Sequence, residues 1–507
     1  MNDFDKYLEE NKIVVDPSKF YYESPIYVNE DRLYDCMNDI IINNKKTMIF
    51  GDCDMDGLMC AHQVKETLEH FGHKNYKVWE IKNKEHSIDK DCVRECIRGA
   101  YDYVIVLDVG TNQMDVIQKL TTFGVKVVII DHHVSEYDFN DYPEDCILVN
   151  SKLNNVVDNR FNYKLSAGAL TFTLMYKYGS MKAKDLSYLS VCALITLYSD
   201  SVDMDSDLAR SIYGLAVNQP SSRHPRFVKD FLGRYSFRRR FIEFTLVPRI
   251  NSLFRSERFD IINNYFYNDS LTNIQRSRLV EEIDNIYVTN RKLIGRVSDT
   301  VPREELDNFV ICNLSKSDIA VDANKLYNYT GIIANNLAEA HGKPCIVLCE
   351  KDGKIKGSFR DLFNRDYLSI LSQFCKCGGH PPAFGLHLEY NEVADFLDTI
   401  KYTVDKRFAS YEIKENLIID IEDKYPNVRM LEKMAMYNEF CGTSLPPVLV
   451  RKRNFMKEMA SFKKSYYSYS WGDLVVDSNH KLVVGKYVYI KPIISSKLRL
   501  VTVNRVS

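Results

Sequence analysis

Residues 127–134 read VVIIDHHV, four β-branched apolar residues followed by an acid and two histidines. A short apolar run of this kind predicts a buried strand, and strands ordinarily finish in Gly, Asn or Pro. This one finishes in three titratable groups, and carboxylate and imidazole are ligands for divalent metals. Working outward, residues 46–50 (KTMIF) and 103–108 (YVIVLD) read as two more strands. Leu58, Ala61, Val64, Leu68 and Phe71 fall on one helical face after the first, and residues 112–122 form a helix after the second. Strand, helix, strand, helix, strand at this spacing predicts an α/β domain with a parallel sheet covered on both faces. Ligands of such sheets bind at the C-terminal strand ends. Three acidic clusters fall at such ends: GDCDMDG at 51–57, DVG at 108–110 and DHH at 131–133.

GDCDMDG shares its opening with a calcium-binding EF-hand loop, but the twelfth position is Gln63 rather than a bidentate Glu. The segment before it is also a strand rather than a helix, which excludes that reading. In an extended segment Asp52 and Asp54 point to the same side, so both can face one site as metal ligands. Asp56 supports that site or serves as the N-cap of the following helix. Asp108 becomes a candidate bridging carboxylate and catalytic residue. His132 offers a neutral imidazole to a metal, and His133 can reach a substrate phosphate or the reacting water. Asp131 is assigned to orienting the loop. Oxygen-rich ligands with one imidazole favour two divalent cations, Mn2+ first and Mg2+ as the alternative. A two-metal centre supports in-line attack on phosphorus by activating water and stabilising the leaving oxygen, so the residues point to phosphoester hydrolysis.

The chain has 507 residues, enough for several domains, and its 45% apolar and 27% charged residues make it globular. A net charge of −2 gives no global basic field, so a nucleic-acid surface would have to be a local patch. The thirteen cysteines show no zinc-finger or disulfide spacing. No apolar run is long enough to span a bilayer, and the acidic start MNDFDKYLEENK lacks a signal-peptide pattern. These features predict a soluble cytoplasmic protein without membrane partners. Richness in Asn, Lys, Ile and Tyr suits an AT-rich, virus- or phage-type genome.

The expected division is 1–265 for the metal-binding α/β domain, 266–300 for a connecting helix, 301–408 for a smaller α/β domain, and 409–507 for a small β-domain. The connecting helix rests on LTNIQRSRLVEEIDNIYVTNRKLIG at 271–295, which holds neither Gly nor Pro before Gly295.

The motifs resemble those of the DHH phosphoesterase superfamily, and GDCDMDG resembles the GDYDxDG of its RecJ branch of single-strand-specific 5′→3′ DNA exonucleases. VPRINSLFR at 247–255 is similar to that branch's PRINAxGR segment. Residues 331–360 and GGHPPAFG at 378–385 resemble the DHH-associated domain and its GGHxxAxG signature. Residues 437–455 resemble the start of the branch's OB-fold, which makes the last domain OB-like.

The resemblance implies that Asp52, Asp54, Asp108 and His132 ligate metal and that His133 contacts the scissile phosphate. It adds Asp200 in ALITLYSDSVD as a further ligand, with Asp203 and Asp205 as alternatives because this chain departs from the family's Gly-Thr-Ile-Ala before that Asp. It makes Arg249, Asn251, Arg255, Ser358, Arg360, Gly379 and His380 substrate-binding. Phe384 stands where the family has a small residue, which would reshape a pocket around a base.

The implied activity is a RecJ-like single-stranded DNA exonuclease, 5′→3′, releasing 5′-mononucleotides. Single-stranded nucleic acid is the expected partner, DNA ahead of RNA, with a single-strand-binding protein or helicase as protein partners. The alternatives are a phosphodiesterase for short oligonucleotides or cyclic dinucleotides and a non-catalytic replication or repair scaffold. Residues 221–240 hold seven Lys/Arg and one Asp interleaved with Phe227, Phe231, Tyr235 and Phe237. They read equally as a single-strand contact or as a helix with its aromatics in the core. The basic-aromatic stretch 450–473 favours strand contact.

Overall fold

The computed structural model describes residues 3–11, 13–17, 25–152, 165–179, 183–316, 326–351, 353–361, 367–380, 382–405, 417–421, 426–441, 446–453, 456–459, 467–478, 481–482, 486–494 and 498–503. The chain divides into two compact units, Met1–Val280 with Asn416–Arg505, and one built on Glu281–Glu415.

The first unit is organised around a five-stranded sheet: β1 (Thr47–Gly51), β2 (Tyr76–Val78), β3 (Tyr103–Leu107), β4 (Lys126–Asp131) and β5 (Cys146–Asn150). The order is β2-β1-β3-β4-β5 and every pairing is parallel. The order reverses between β1 and β3, and this switch point is where doubly wound sheets open a crevice for ligand. The register sets the three acidic ends level. Gly51 lies opposite Leu107, and Leu107 opposite Ile130. The Asp52 amide donates to the Leu107 carbonyl (3.1 Å) and the Asp108 amide to the Ile130 carbonyl (2.9 Å).

Both faces of this sheet are covered, which is why its strands are continuous apolar runs. Met48, Phe50, Val104, Val106, Val127 and Ile129 pack with residues of helices Lys90–Arg98 and Met114–Thr122. Helices Glu30–Ile42, Met55–His70 and Ala167–Tyr178 also pack on the sheet. Helix Met55–His70 is buried nearly all round because helices Ala167–Tyr178 and Ala183–Ser199 cover its outer side. Phe71, expected on its apolar face, instead follows the helix end and is 38% exposed.

The 221–240 stretch resolves toward the core reading. Phe227, Phe231 and Phe237 are buried, and Tyr235 alone of the four aromatics is exposed. Arg239 pairs with Glu243 (2.9 Å) and donates to the Cys441 carbonyl (2.5 Å), so it ties this segment to the C-terminal residues. There a seven-stranded mixed sheet lies within residues 417–503, packed by helix Val428–Phe440. Asn438 pins it with three buried bonds, to Val448 N, Val448 O and Pro492 O (2.9, 3.0 and 2.9 Å). Much of the 450–473 stretch, residues 454–455 and 460–466, lies outside the described residues.

Helix Asn273–Thr300 covers the sequence boundary between the units and runs through Gly295. A mid-helix glycine costs ~1 kcal/mol relative to alanine. Burial of Ile294 and Val297 beside it offsets that.

In the second unit the order is β10-β11-β9-β8-β7-β6, built from β6 (Arg303–Glu305), β7 (Val310–Asn313), β8 (Cys345–Lys351), β9 (Lys354–Arg360), β10 (Lys376–His380) and β11 (Ala383–Leu388). Only β7 and β8 pair in parallel. Helix Thr330–His341 packs on β8 and β9. Phe384, expected to reshape a pocket, is instead in the core of this unit. Strand alternation turns it inward with Leu386 and Leu388, and it stacks on Phe359 with ring centroids 4.6 Å apart.

Candidate metal centre

Two glycines let the first motif form. A Cβ on Gly51 would run into the Gly57 carbonyl. A Cβ on Gly57 would lie 2.6 Å from the Asp52 carbonyl oxygen and 2.7 Å from its Cα. The start of helix Met55–His70 therefore crosses directly over the end of β1, and Asp52, Asp54 and Asp56 are gathered within one tight turn. The N-cap is Asp54, not Asp56: its Oδ1 accepts from Asp56 N (2.9 Å) and Gly57 N (3.1 Å). Asp56 already lies in the first helical turn and points inward. It accepts from Ala167 N (2.9 Å) and Gly168 N (2.8 Å), so it caps a different helix, Ala167–Tyr178.

Asp108 adopts a left-handed conformation, φ 63°. That is uncommon outside glycine, and Asp and Asn tolerate it better than other residues. It turns the chain at the end of β3 and places a carboxylate in the crevice. Asp131 is the organiser of the DHH loop. Its Oδ1 accepts from His132 N (2.7 Å), His133 N (3.2 Å) and His133 Nδ1 (2.7 Å), and its Oδ2 from Thr111 N and Oγ1 (3.2 and 2.6 Å). Burial alone would raise its pKa, but the His133 and Thr111 bonds outweigh it and hold the carboxyl below the usual range. His133 is half exposed, its pKa lowered by burial and raised more strongly by Asp131.

The two histidines differ in setting, although donor atoms of both lie within 4.8 Å of each other and of an Asp108 oxygen. His132 is buried, and its Nδ1 donates to the Leu165 carbonyl at 2.9 Å. That bond leaves Nε2 as the lone-pair nitrogen. Nε2 stands 3.4 Å from Asp108 Oδ1 and 3.4 Å from Asp200 Oδ2. Ligands held at roughly 2.1 Å around one ion are about 3.0–3.4 Å apart, so this spacing fits a shared cation. Of the acids after helix Ala183–Ser199, Asp200 makes this approach.

Further observations fit divalent cations. Asp52, Asp54 and Asp108 offer oxygens within 4.8 Å of one another, as do the donor atoms of Asp56, His132 and Asp200. Oxygens Asp52 Oδ1 and Asp108 Oδ1 are buried without a hydrogen-bond partner among the described residues. Burial, then the charge of Asp54, pushes Asp56 up to about 7. Burial with neighbouring carboxylates likewise raises Asp54, Asp108 and Asp200. Such crowding is relieved by positive charge, and an oxygen-rich set with one imidazole suits Mn2+ or Mg2+.

The structure also brings His86 to this group, a residue the sequence pattern did not single out. Its Nδ1 is 2.6 Å from Asp52 Oδ2.

Of the expected substrate-binding residues, Arg249, Asn251 and Arg255 lie on helix Val247–Arg255. Asn251 and Arg255 share one face, four residues apart. Arg249 lies on another flank, donates to the Thr245 carbonyl (2.8 Å) and sits over the Phe231 ring. Ser358 and Arg360 share the outward face of β9. Ser358 Oγ bonds Thr330 Oγ1 (2.9 Å), and Gly331 leaves room for the Arg360 guanidinium, which a Cβ there would approach to 2.7 Å. Gly379, φ 137°, has no room for a side chain because the Ala383 carbonyl and Phe384 Cα would each be 2.8 Å from its Cβ. His380 ends β10, and its side chain lies outside the described residues.

This geometry defines a doubly wound domain with a carboxylate–histidine cluster at its switch point, and the comparisons name the class. Residues 46–199 match the DHH family, N-terminal domain, and residues 317–406 match the DHHA1 domain. The chain thus carries matches to both domains of the DHH superfamily, and it is similar to the RecJ-like branch. It is 22% identical over 428 residues to the single-stranded-DNA-specific exonuclease RecJ of Bacillus subtilis, covering 80% of this chain and 52% of that protein. It thus spans about half the length of that relative. It is 23% identical over 477 residues to the yorK protein of Bacillus phage SPbeta, covering 86% of this chain and 79% of the other. The fold matches that of RecJ in complex with Mn2+ from Thermus thermophilus, with TM-score 0.72 at 15% identity, over 96% of this chain and 72% of that one. Among the described residues no helix is long and apolar enough to cross a membrane.

Proposed function

We propose that this chain is a divalent-metal-dependent phosphodiesterase that acts as a RecJ-like exonuclease on single-stranded DNA, 5′→3′, releasing 5′-mononucleotides. The observation that carries the reading is His132 Nε2, left as the lone-pair nitrogen of the neutral ring by the Leu165 bond and set 3.4 Å from both Asp108 and Asp200. Its neighbours Asp52 and Asp54 complete the donor set, and the exonuclease relatives supply the substrate class. Asp52, Asp54, Asp108, His132 and Asp200 would hold the cations. Mn2+ at these positions would activate water and neutralise charge on a phosphodiester in the transition state.

The protein groups have distinct tasks. Asp131 holds the DHH loop through both histidine amides and His133 Nδ1. His133, half exposed and with its Nδ1 held by Asp131, presents its other nitrogen to a phosphate oxygen of the substrate. Asp56 and its two helix-terminal amides fix the base of the cluster beside Asp200. In the second unit, Ser358 and Arg360 present a hydroxyl and a guanidinium on one strand face, a pairing suited to phosphate.

The test is hydrolysis with Mn2+ of long single strands of DNA and RNA, labelled at the 5′ or the 3′ end, beside a dinucleotide. The proposal expects early release of labelled mononucleotide from 5′-labelled DNA. Faster turnover of the dinucleotide would make it a short-substrate phosphodiesterase instead.

A further inference from the structure

Resting on the metal-centre reading above, we infer that His86 is a positioning residue for Asp52, selecting which of its carboxylate oxygens faces the cation. His86 belongs to none of the three acidic motifs. It sits on an irregular strap between β2 and helix Lys90–Arg98, and that strap is clamped at both ends. At its start Trp79 N donates to the Ile49 carbonyl of β1 (2.8 Å). Next, the Asn263 side chain grips Ile81 twice, accepting from its N–H (3.0 Å) and donating to its carbonyl (2.8 Å). At its far end Ile88 N donates to Gln113 Oε1 (2.8 Å), and both Ile81 and Ile88 are buried. Between these anchors the Glu85–Ser87 turn carries His86 out over Asp52.

The distances separate positioning from ligation. His86 Nδ1 lies 2.6 Å from Asp52 Oδ2, a hydrogen-bond length. Two ligands of one ion would stand about 3.0–3.4 Å apart, as His132 Nε2 does from its carboxylates. Asp52 Oδ2 is therefore occupied, while Oδ1 is buried and has no hydrogen-bond partner among the described residues. Oδ1 is the oxygen left for the cation shared with Asp54 and Asp108. His86 itself is more than half exposed, so its place reflects the strap, the bond to Asp52 and a longer contact of the same Nδ1 with Cys53 Sγ (3.9 Å) rather than core packing.

Outer-shell partners of this kind change metal affinity by ~10–100-fold when removed. The test is a Mn2+ titration of the wild type, His86→Ala and His86→Asn, read by electron paramagnetic resonance of free and bound ion, with thermal melts alongside. Asparagine can return an N–H donor near the Nδ1 position. The inference expects His86→Ala to weaken one of two Mn2+ equivalents by ~10–100-fold, with the other unchanged, an unaltered melt, and substantial rescue in His86→Asn. Wild-type titration by His86→Ala, or equal loss in both variants, would overturn the role of His86. A wild type that binds no Mn2+ would instead overturn the metal-centre reading itself.

Discussion

Replacing Gly57 with alanine probes the crossing that assembles the first motif. The added Cβ would lie 2.6 Å from the Asp52 carbonyl oxygen and 2.7 Å from Asp52 Cα, against backbone that no rotamer change can move. Restoring ordinary contact requires the helix start and the strand end to part by about 0.7–1 Å. Overpacking of this size costs ~1–3 kcal/mol, and the gain in helix propensity returns ~1 kcal/mol. A net loss of about 1 kcal/mol, and at most about 2, is expected from urea unfolding of the metal-free protein. The same displacement moves Asp52 and Asp54, and a misplacement near 1 Å costs about 10²-fold in rate. Gly295→Ala is the control: a Cβ there meets nothing within 4 Å, so the variant should gain ~1 kcal/mol. A Gly57→Ala protein as stable and as active as the wild type would refute the crossing.

Other perturbations read other parts of the molecule. His62 is buried against Phe227, Phe266 and Tyr267, and its pKa falls to about 3 through burial. The unfolded chain takes up a proton there below about pH 6.5 and the folded chain does not, so stability is lost as pH falls. At pH 5 the loss is about 2 kcal/mol, and His62→Phe should remove that part of the pH dependence in chelator-treated protein. Asn438→Ala breaks three buried bonds and should cost about 3 kcal/mol, measured by denaturant unfolding. Arg360→Gln should weaken single-stranded DNA binding and reduce the slope of log affinity against log salt by ~0.7, the value for one lost phosphate contact.

The sheet was legible because strands buried on both faces leave unbroken apolar runs, and VVIID is such a run. The acidic ends were legible for a related reason, since charge directly after a buried strand has few structural uses. The N-cap was not, because GDCDMDG offers Asp54 and Asp56 to the helix start and only the backbone path decides between them. Phe384 misled because its neighbours GGH and AFG carry the motif, while strand alternation alone turns its ring inward. The aromatics of 221–240 interleave with cations in sequence but separate from them in space. His86 left no periodic trace: it lies thirty-four residues after Asp52 on a strap with no regular structure, and only tertiary anchors at Asn263 and Gln113 bring it back.

The central claim is that the Asp108–His132 cluster holds cations that hydrolyse phosphodiesters. Asp108→Asn tests it most directly, because asparagine tolerates the φ of 63° and leaves the fold intact while removing the charge. The measurement is release of mononucleotides from a long DNA single strand by matched preparations with Mn2+ and with chelator. The wild type should cleave only with the metal. Asp108→Asn should lose more than the ~10–100-fold typical of changes one layer out from the metal. Cleavage by Asp108→Asn at the wild-type rate, or by the wild type in chelator, would contradict it.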